Sequence, residues 1–297
     1  MEWLHKFLVW RIKHISDRNF LTILGIIIGI LTGLAAVILK LAVHSIERVL
    51  TSDMTPDNTG LMQSIYPIIG IMLTVVIAKY LLKEELGHGI TAILYRISKR
   101  SSIISRKKTF SRMVTSALTV GFGGSVGLEA PIVLTGSAIG SNIGRLSHMN
   151  YRKRTLLIGC GAAGAISAIF GSPIAGVIFA IEVLLPEVTI AMFIPLLISS
   201  VFGSLTSHAL VGSDILYSFQ LKDQFDLKDV PYMVVLGLVA GLISVYFTRV
   251  THGVEHWLNK QSNFLLKAVL GGLGVGLLIL FMNPLYGEGY ETIRSIL

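Results

Sequence analysis

The chain has 297 residues, of which 53% are hydrophobic and only 14% charged, with a mean hydropathy of +0.72. Soluble domains carry about 25% charged residues, so these values exclude a soluble globular domain and identify an integral membrane protein. The formal charge of +8 would suit a nucleic-acid binder, but no RNA- or DNA-binding motif appears, and the single cysteine, Cys160, excludes an intrachain disulfide framework.

Residues 1–19 are basic and amphipathic, with Trp3, Leu4, Phe7, Leu8 and Ile12 on one face. They predict an interfacial helix and no cleavable signal peptide. A bilayer needs about 20 apolar residues per helix. Segments 20–43, 61–82, 188–211, 230–258 and 264–281 qualify. Between them lie 90–97, 110–120, 131–146, 154–170 and 173–185, which are too short or too glycine-rich for plain spans. Broken helices of this kind line binding sites in transporters, where neighbouring protein satisfies the exposed backbone. The expected fold is therefore an all-α multi-span membrane protein with broken, re-entrant helices.

Charge placement sets the expected orientation. Segment 83–112 holds eight Lys/Arg against two acids, and 145–154 holds four against none. Segment 44–60 holds one base against three acids, and 212–229 two against four. The positive-inside rule puts the N-terminus, 83–112 and 145–154 in the cytoplasm, and 44–60 and 212–229 outside. The Arg106-Lys107-Lys108 run then reads as charge in a cytoplasmic loop.

The stretch Gly123-Gly124-Ser125-Val126-Gly127-Leu128-Glu129-Ala130-Pro131 sits within this apolar frame. Ionisable residues in membrane-like sequence are costly and mark functional sites by default. Pro131 fits the first position of a helix, where a missing N–H costs nothing. Free N–H groups and the positive end of the helix dipole attract anions there. Glu129, placed beside such a site, can occupy it, which is the chemistry of a gate; the plainer reading is a helix cap. Gly123 to Gly127 also match the G-x-S-x-G nucleophile elbow, but that motif needs a preceding strand, and residues 113–120 read as helix. A serine hydrolase would also need a histidine partner, for which His208 is the one buried-looking candidate. The chain is read as a non-enzyme.

The chain partly repeats itself. Residues 29–50 and 237–258 share seven identities in 22 positions, Gly29/Gly237, Gly33/Gly241, Leu34/Leu242, Val37/Val245, His44/His252, Glu47/Glu255 and Leu50/Leu258. Gly87-His88-Gly89 answers Gly287-Glu288-Gly289. The charges make the two copies inverted, as in many secondary transporters. The expected organisation is an interfacial helix over 1–19, a first repeat over 20–211 and the start of a second over 230–297. A second copy that stops at the counterpart of residue 97 reads as a C-terminal truncation of about a hundred residues if the repeats are of similar length. The alternative is a short protein that completes its site by oligomerising.

Gly127-Leu128-Glu129-Ala130-Pro131 resembles the G-[KR]-E-G-P signature of the ClC chloride channels and chloride/proton exchangers. Gly87-His88-Gly89-Ile90-Thr91 resembles their G-S-G-I-P. Gly164 through Glu182, with Ser172-Pro173-Ile174-Ala175-Gly176 inside it, resembles their N-A-P-L-A-G-x-L-F-x-x-E stretch, and residues 287–293 resemble the turn after the second helix of their second repeat. The resemblance implies a homodimer in the cell membrane, with one chloride or related small-anion pathway per subunit, an inverted-repeat fold and no cofactor or metal. It implies that Glu129 is the outer gating glutamate. It implies anion contacts from His88, Gly89, Ile90, Gly127, Leu128 and Ala130, with Pro131 supporting the helix start.

Three departures qualify it. His88 replaces the family serine; an imidazole donates one N–H when neutral and two when protonated, which makes anion contact pH-dependent. Val183 stands where the exchangers carry an inner proton-transfer glutamate. Family channels also have valine there and some exchangers lack the glutamate, so channel and proton-coupled exchanger both stay open. The G-x-F-x-P loop and distal tyrosine of the family site have no counterpart. Of the remaining residues, Glu182 reads as structural, Cys160 as packing among glycines, and Gly136, Gly140 and Gly144 as a small-xxx-small stripe for close helix packing.

Overall fold

The computed structural model describes residues 11, 13–52, 59–83, 89–185, 189–212 and 226–296. Residues 1–10 and 12 of the expected interfacial helix lie outside these residues, as does His88. Every regular element among the described residues is helical.

The first helix, α1, spans Asp17–Thr51. Ser16 caps it, its hydroxyl accepting from the Asn19 N–H at 3.4 Å, so it starts three residues before the expected apolar run. Helix α2 spans Thr59–Val76 and continues as a π-helix over Ile77–Leu82. The short helices α3 (Gly89–Lys99) and α4 (Lys108–Gly121) follow. Helix α5 spans Glu129–Leu146 and α6 spans Tyr151–Phe170. Asn150 caps α6, accepting from the Lys153 N–H at 3.0 Å, and Gly171, at φ = +66°, ends it in the left-handed conformation that glycine adopts without strain. Helix α7 (Pro173–Phe179) opens with proline in its first turn and passes into a π-turn over Ala180–Leu184. The series closes with α8 (Ile190–Val211), α9 (Val230–Asn259), α10 (Phe264–Phe281) and the short α11 (Tyr290–Ile296).

Six of these are long and apolar enough to cross a membrane: α1, α2 with its π-helical extension, α6, α8, α9 and α10. Helix α6 is a correction. Its glycines and alanines suggested a broken piece, yet it runs unbroken for 20 residues. The small residues serve contact rather than interruption. Gly159, Cys160, Gly161 and Ala162 through Ala165 are all buried, because α5, α7, α8 and α1 pack around the helix. Its side chains enter three apolar clusters among the described residues, Leu157 and Cys160 in one, Ala165 and Ile169 in the next, Ile158 and Ile166 in the third.

Lipid offers no hydrophobic force between helices, so close backbone approach and van der Waals contact hold them together. The α5 stripe meets α6 in this way. A Cβ at Gly136 would strike the Gly161 carbonyl, and one at Gly161 would strike the Gly136 carbonyl. A Cβ at Gly140 would strike the Leu157 carbonyl. Polar ties fix the ends. Ser141 Oγ donates to the Ser102 carbonyl at 2.7 Å and accepts from the Ile104 N–H at 2.9 Å. Asp17 pairs with Arg11 and with Lys153 Nζ, the latter at 2.6 Å, joining α1 to α6.

The repeated helix pair differs in its surroundings. On α1, a Cβ at Gly33 would lie 2.8 Å from the Gly203 carbonyl oxygen of α8. On α9, a Cβ at Gly237 or Gly241 would meet nothing within 4 Å among the described residues, and no residue of α9 is buried against them. The His–Glu pair recurs in both copies, His44 to Glu47 at 3.6 Å and His252 to Glu255 at 3.5 Å.

Replacing Gly140 by valine forces α5 and α6 apart. It should cost about 1–3 kcal/mol, the usual penalty of overpacking, read as a lower unfolding temperature in detergent. Gly237→Ala, which meets open space, should leave that temperature unchanged or raise it.

Candidate functional site

The candidate site lies where α3 and α5 begin. Helix α4 ends at Gly121, and the chain turns through Gly123, at φ = +84°, before α5 starts at Glu129. Glu129, not Pro131, takes the first helical position, so the proline stands in the middle of the first turn. That place still suits it, because first-turn N–H groups have no partner inside the helix. The first closed bond runs from the Ile132 N–H to the Leu128 carbonyl at 3.1 Å. The N–H groups of Glu129 and Ala130 precede it.

Leu128 is buried, its side chain packed in the cluster with Val120 and Ile132, so only its backbone is offered to a ligand. Gly127 is the position that makes room. A Cβ there would collide with the Glu129 carboxylate. The acid therefore folds back over the mouth of its own helix, where the dipole favours negative charge. Gly89, the first residue of α3, faces the same mouth, since a Cβ on it would sit 3.4 Å from the Ala130 carbonyl oxygen. Ile90 is half-buried behind it. The structure thus brings Gly89, Gly127, Leu128, Glu129 and Ala130 together.

A partner that the sequence alone did not single out completes the arrangement. Tyr290 Oη donates to Glu129 Oε1 at 2.5 Å across 161 positions of chain. The Tyr290 ring meets Phe170 edge to face, with centroids 6.3 Å apart. The Gly287 N–H donates to the Gly123 carbonyl at 3.1 Å, and the Tyr286 ring lies where a Cβ on Gly123 would be. The 286–290 turn, which carries two positive-φ glycines at 287 and 289, is therefore docked on the loop that delivers Glu129. Two tyrosines flanking Gly287-Glu288-Gly289 were the available signal.

Two cavities flank the site. One, of about 440 Å³, is lined by Lys40, His44, Glu47, Tyr286, Glu288 and Tyr290, among others. The other, of about 730 Å³, lies between α3 and the π-turn after α7. Val183 lines it beside an exposed Glu182, so the second cavity has valine where the resemblance would put a proton-transfer acid. Burial pushes the Tyr286 hydroxyl up to about 12, so it stays protonated at neutral pH.

The other singled-out residues fall elsewhere. Cys160 is fully buried in the α6 core. His208 is exposed in the last turn of α8, near the helix end. Ser125 is exposed between two helices, α4 and α5, and no strand leads into it.

Gly123→Ala would strain a left-handed backbone by about 1–2 kcal/mol and push on Tyr286. Hydrogen exchange at the Gly287 amide should quicken as the 286–290 turn lifts, while exchange in α6 stays as it was.

The helical fold agrees with comparisons to known proteins. The family model described as "Voltage gated chloride channel" matches residues 68–297. The chain is 28% identical over 236 residues to a putative chloride channel protein ClcB-like of Ralstonia nicotianae, covering 78% of this chain and 55% of that protein. It is 29% identical over 234 residues to chloride channel protein CLC-f of Arabidopsis thaliana, covering 71% of this chain and 29% of that one. It thus spans about half or less of the length of these relatives. Among solved structures, a CLC-type fluoride/proton antiporter superposes with a TM-score of 0.78 at 23% identity, over 93% of this chain and 69% of that one. A slow cyanobacterial Cl⁻/H⁺ antiporter gives 0.79 at 22% identity, over 93% and 67%. These likenesses establish the helical membrane fold, and the match over residues 68–297 places the chain in the voltage-gated chloride channel, or ClC, family.

Proposed function

We propose that this chain forms the gated part of a pathway for chloride or a related small anion, with Glu129 as its gate. The observation that carries the reading is the Glu129 carboxylate, folded over its own helix mouth onto Gly127 and held there by Tyr290. An ionised carboxylate in that place competes with an anion for the same N–H groups and dipole. Protonation or displacement frees the mouth. Gly89, Ile90, Gly127, Leu128 and Ala130 supply backbone around the anion, and His88 adds a ring donor. The names of the relatives, chloride channels and anion/proton antiporters, support the substrate class.

Under this reading the protein is a transporter rather than an enzyme. It lies in the cell inner membrane with its N-terminus in the cytoplasm, as the excess of Lys/Arg in 83–112 and 145–154 indicates, and it works as a homodimer. Val183 in the inner cavity favours passive conduction over proton coupling. A second reading rests on α9. Its glycine stripe is bare, which favours a half-protein that transports only with a complementary partner covering that helix.

The test is chloride efflux from liposomes holding the complete gene product. Glu129→Gln should raise the rate about tenfold near neutral pH, the factor that follows from removing a competitor worth about 1.4 kcal/mol, and should flatten the response to acid. An unchanged rate and an unchanged pH response together would sink the gate. This chain silent by itself, yet active when reconstituted with a second chain that covers α9, would favour the second reading.

Coupling is read separately. With a chloride gradient imposed and no other driving force, a pH electrode should register no proton uptake. Stoichiometric uptake would make the protein an exchanger despite Val183.

A further inference from the structure

The cavity of about 440 Å³ is more than a passage to Glu129. It is built from three separate regions, with Lys40, His44 and Glu47 from α1, Gln63 from α2, and Tyr286, Glu288, Tyr290 and Arg294 from the turn and α11. Glu288 is the unusual member. Its Oε1 is buried and, among the described residues, has no hydrogen-bond partner; the same holds for Tyr286 Oη. A carboxylate oxygen withdrawn from water without a partner makes the anion less favourable. Burial accordingly raises its proton affinity above the ordinary carboxylate value, opposed by His44 and Lys40 and reinforced by Glu47 and Glu129.

The charges around it decide what the cavity holds. Glu47 is already faced by His44 at 3.6 Å. Apart from His44, which carries charge only when protonated, the lining has two cations, Lys40 and Arg294, against two carboxylates, Glu47 and Glu288. The sum is zero. One proton taken from the outer solution onto Glu288 leaves an excess positive charge in a partly desolvated pocket, next to the mouth that Tyr290 and Glu129 close.

We propose that this outer cavity is an anion-capture site in its own right, and that protonation of Glu288 switches it from weak to strong binding of a small monovalent anion. The proposal rests on the anion-pathway reading above but not on Glu129 being the gate. With Glu288 ionised, the carboxylate repels the incoming anion and offsets positive charge in the lining. With Glu288 neutral, that opposition is gone, and the Tyr286 hydroxyl adds an uncommitted donor. A unit charge at contact range in such a setting changes affinity roughly five- to tenfold.

The experiment measures the half-saturating external chloride concentration of the complete gene product in liposomes, at mildly acidic and mildly alkaline external pH, with chloride calorimetry on the same protein in detergent. The wild type should bind roughly five- to tenfold more tightly at acidic pH. Glu288→Gln, close to the acid in shape, should show the tight value at both. Lys40→Gln should weaken binding at acidic pH. Glu129→Gln should alter the maximal rate yet keep the pH dependence of half-saturation, which separates this site from the gate. The proposal is overturned if Glu288→Gln retains the wild-type pH dependence, or if Lys40→Gln leaves acidic binding unchanged. Calorimetry measures the binding directly, even in a variant that no longer transports.

Discussion

The whole arrangement depends on how closely α5 can approach α6. Gly136 and Gly161 face each other so tightly that neither tolerates a Cβ, and Gly140 lies on the Leu157 carbonyl. In lipid such backbone contact replaces the hydrophobic force that packs soluble cores. It fixes the axis of α5, and with it the place where the helix begins. Glu129 sits at that beginning. A side chain in the middle of the stripe would therefore disturb the acid from a distance, without touching it.

A second constraint acts from the other end of the chain. The 286–290 turn docks on the Gly123 loop through one backbone hydrogen bond, one ring contact and the Tyr290–Glu129 bond. Each contact is modest, since a hydrogen bond to a charged group contributes about 1.5–3 kcal/mol. Together they make the position of Glu129 depend on the 286–290 turn, far along the chain. Glycine is needed at 123 on both counts, for its positive φ and for the room it gives Tyr286.

Much of this was legible in the sequence. Apolar run lengths located α8, α9 and α10 to within two residues, and the spacing of Gly136, Gly140 and Gly144 located the α5 contact face. Glu129 stood out because a carboxylate among glycines in an apolar chain needs a reason. Two things were not legible. The same small residues that signal close packing also mimic helix breakage, and local composition cannot separate these until the neighbours of α6 are known. The Tyr290–Glu129 bond joins residues 161 positions apart, and no periodicity reports on such a pair. Pro131 shows a smaller limit: proline marks the first turn of a helix, but not which residue of that turn it occupies.

The repeated helices carry the last step. Glycine inside a helix costs about 1 kcal/mol relative to alanine, so a stripe of it is favourable only where something packs against the gap. On α1, Gly29 and Gly33 receive Ser199, Phe202, Gly203 and Thr206 of α8. On α9, the matching Gly237 and Gly241 receive nothing, although the His252–Glu255 pair keeps the geometry of His44–Glu47. That pair is local, three residues apart on one helix, and needs no neighbour. The stripe does need one. The stripe of α9 thus repeats the pattern by which α1 receives α8, with no neighbour against it among the described residues.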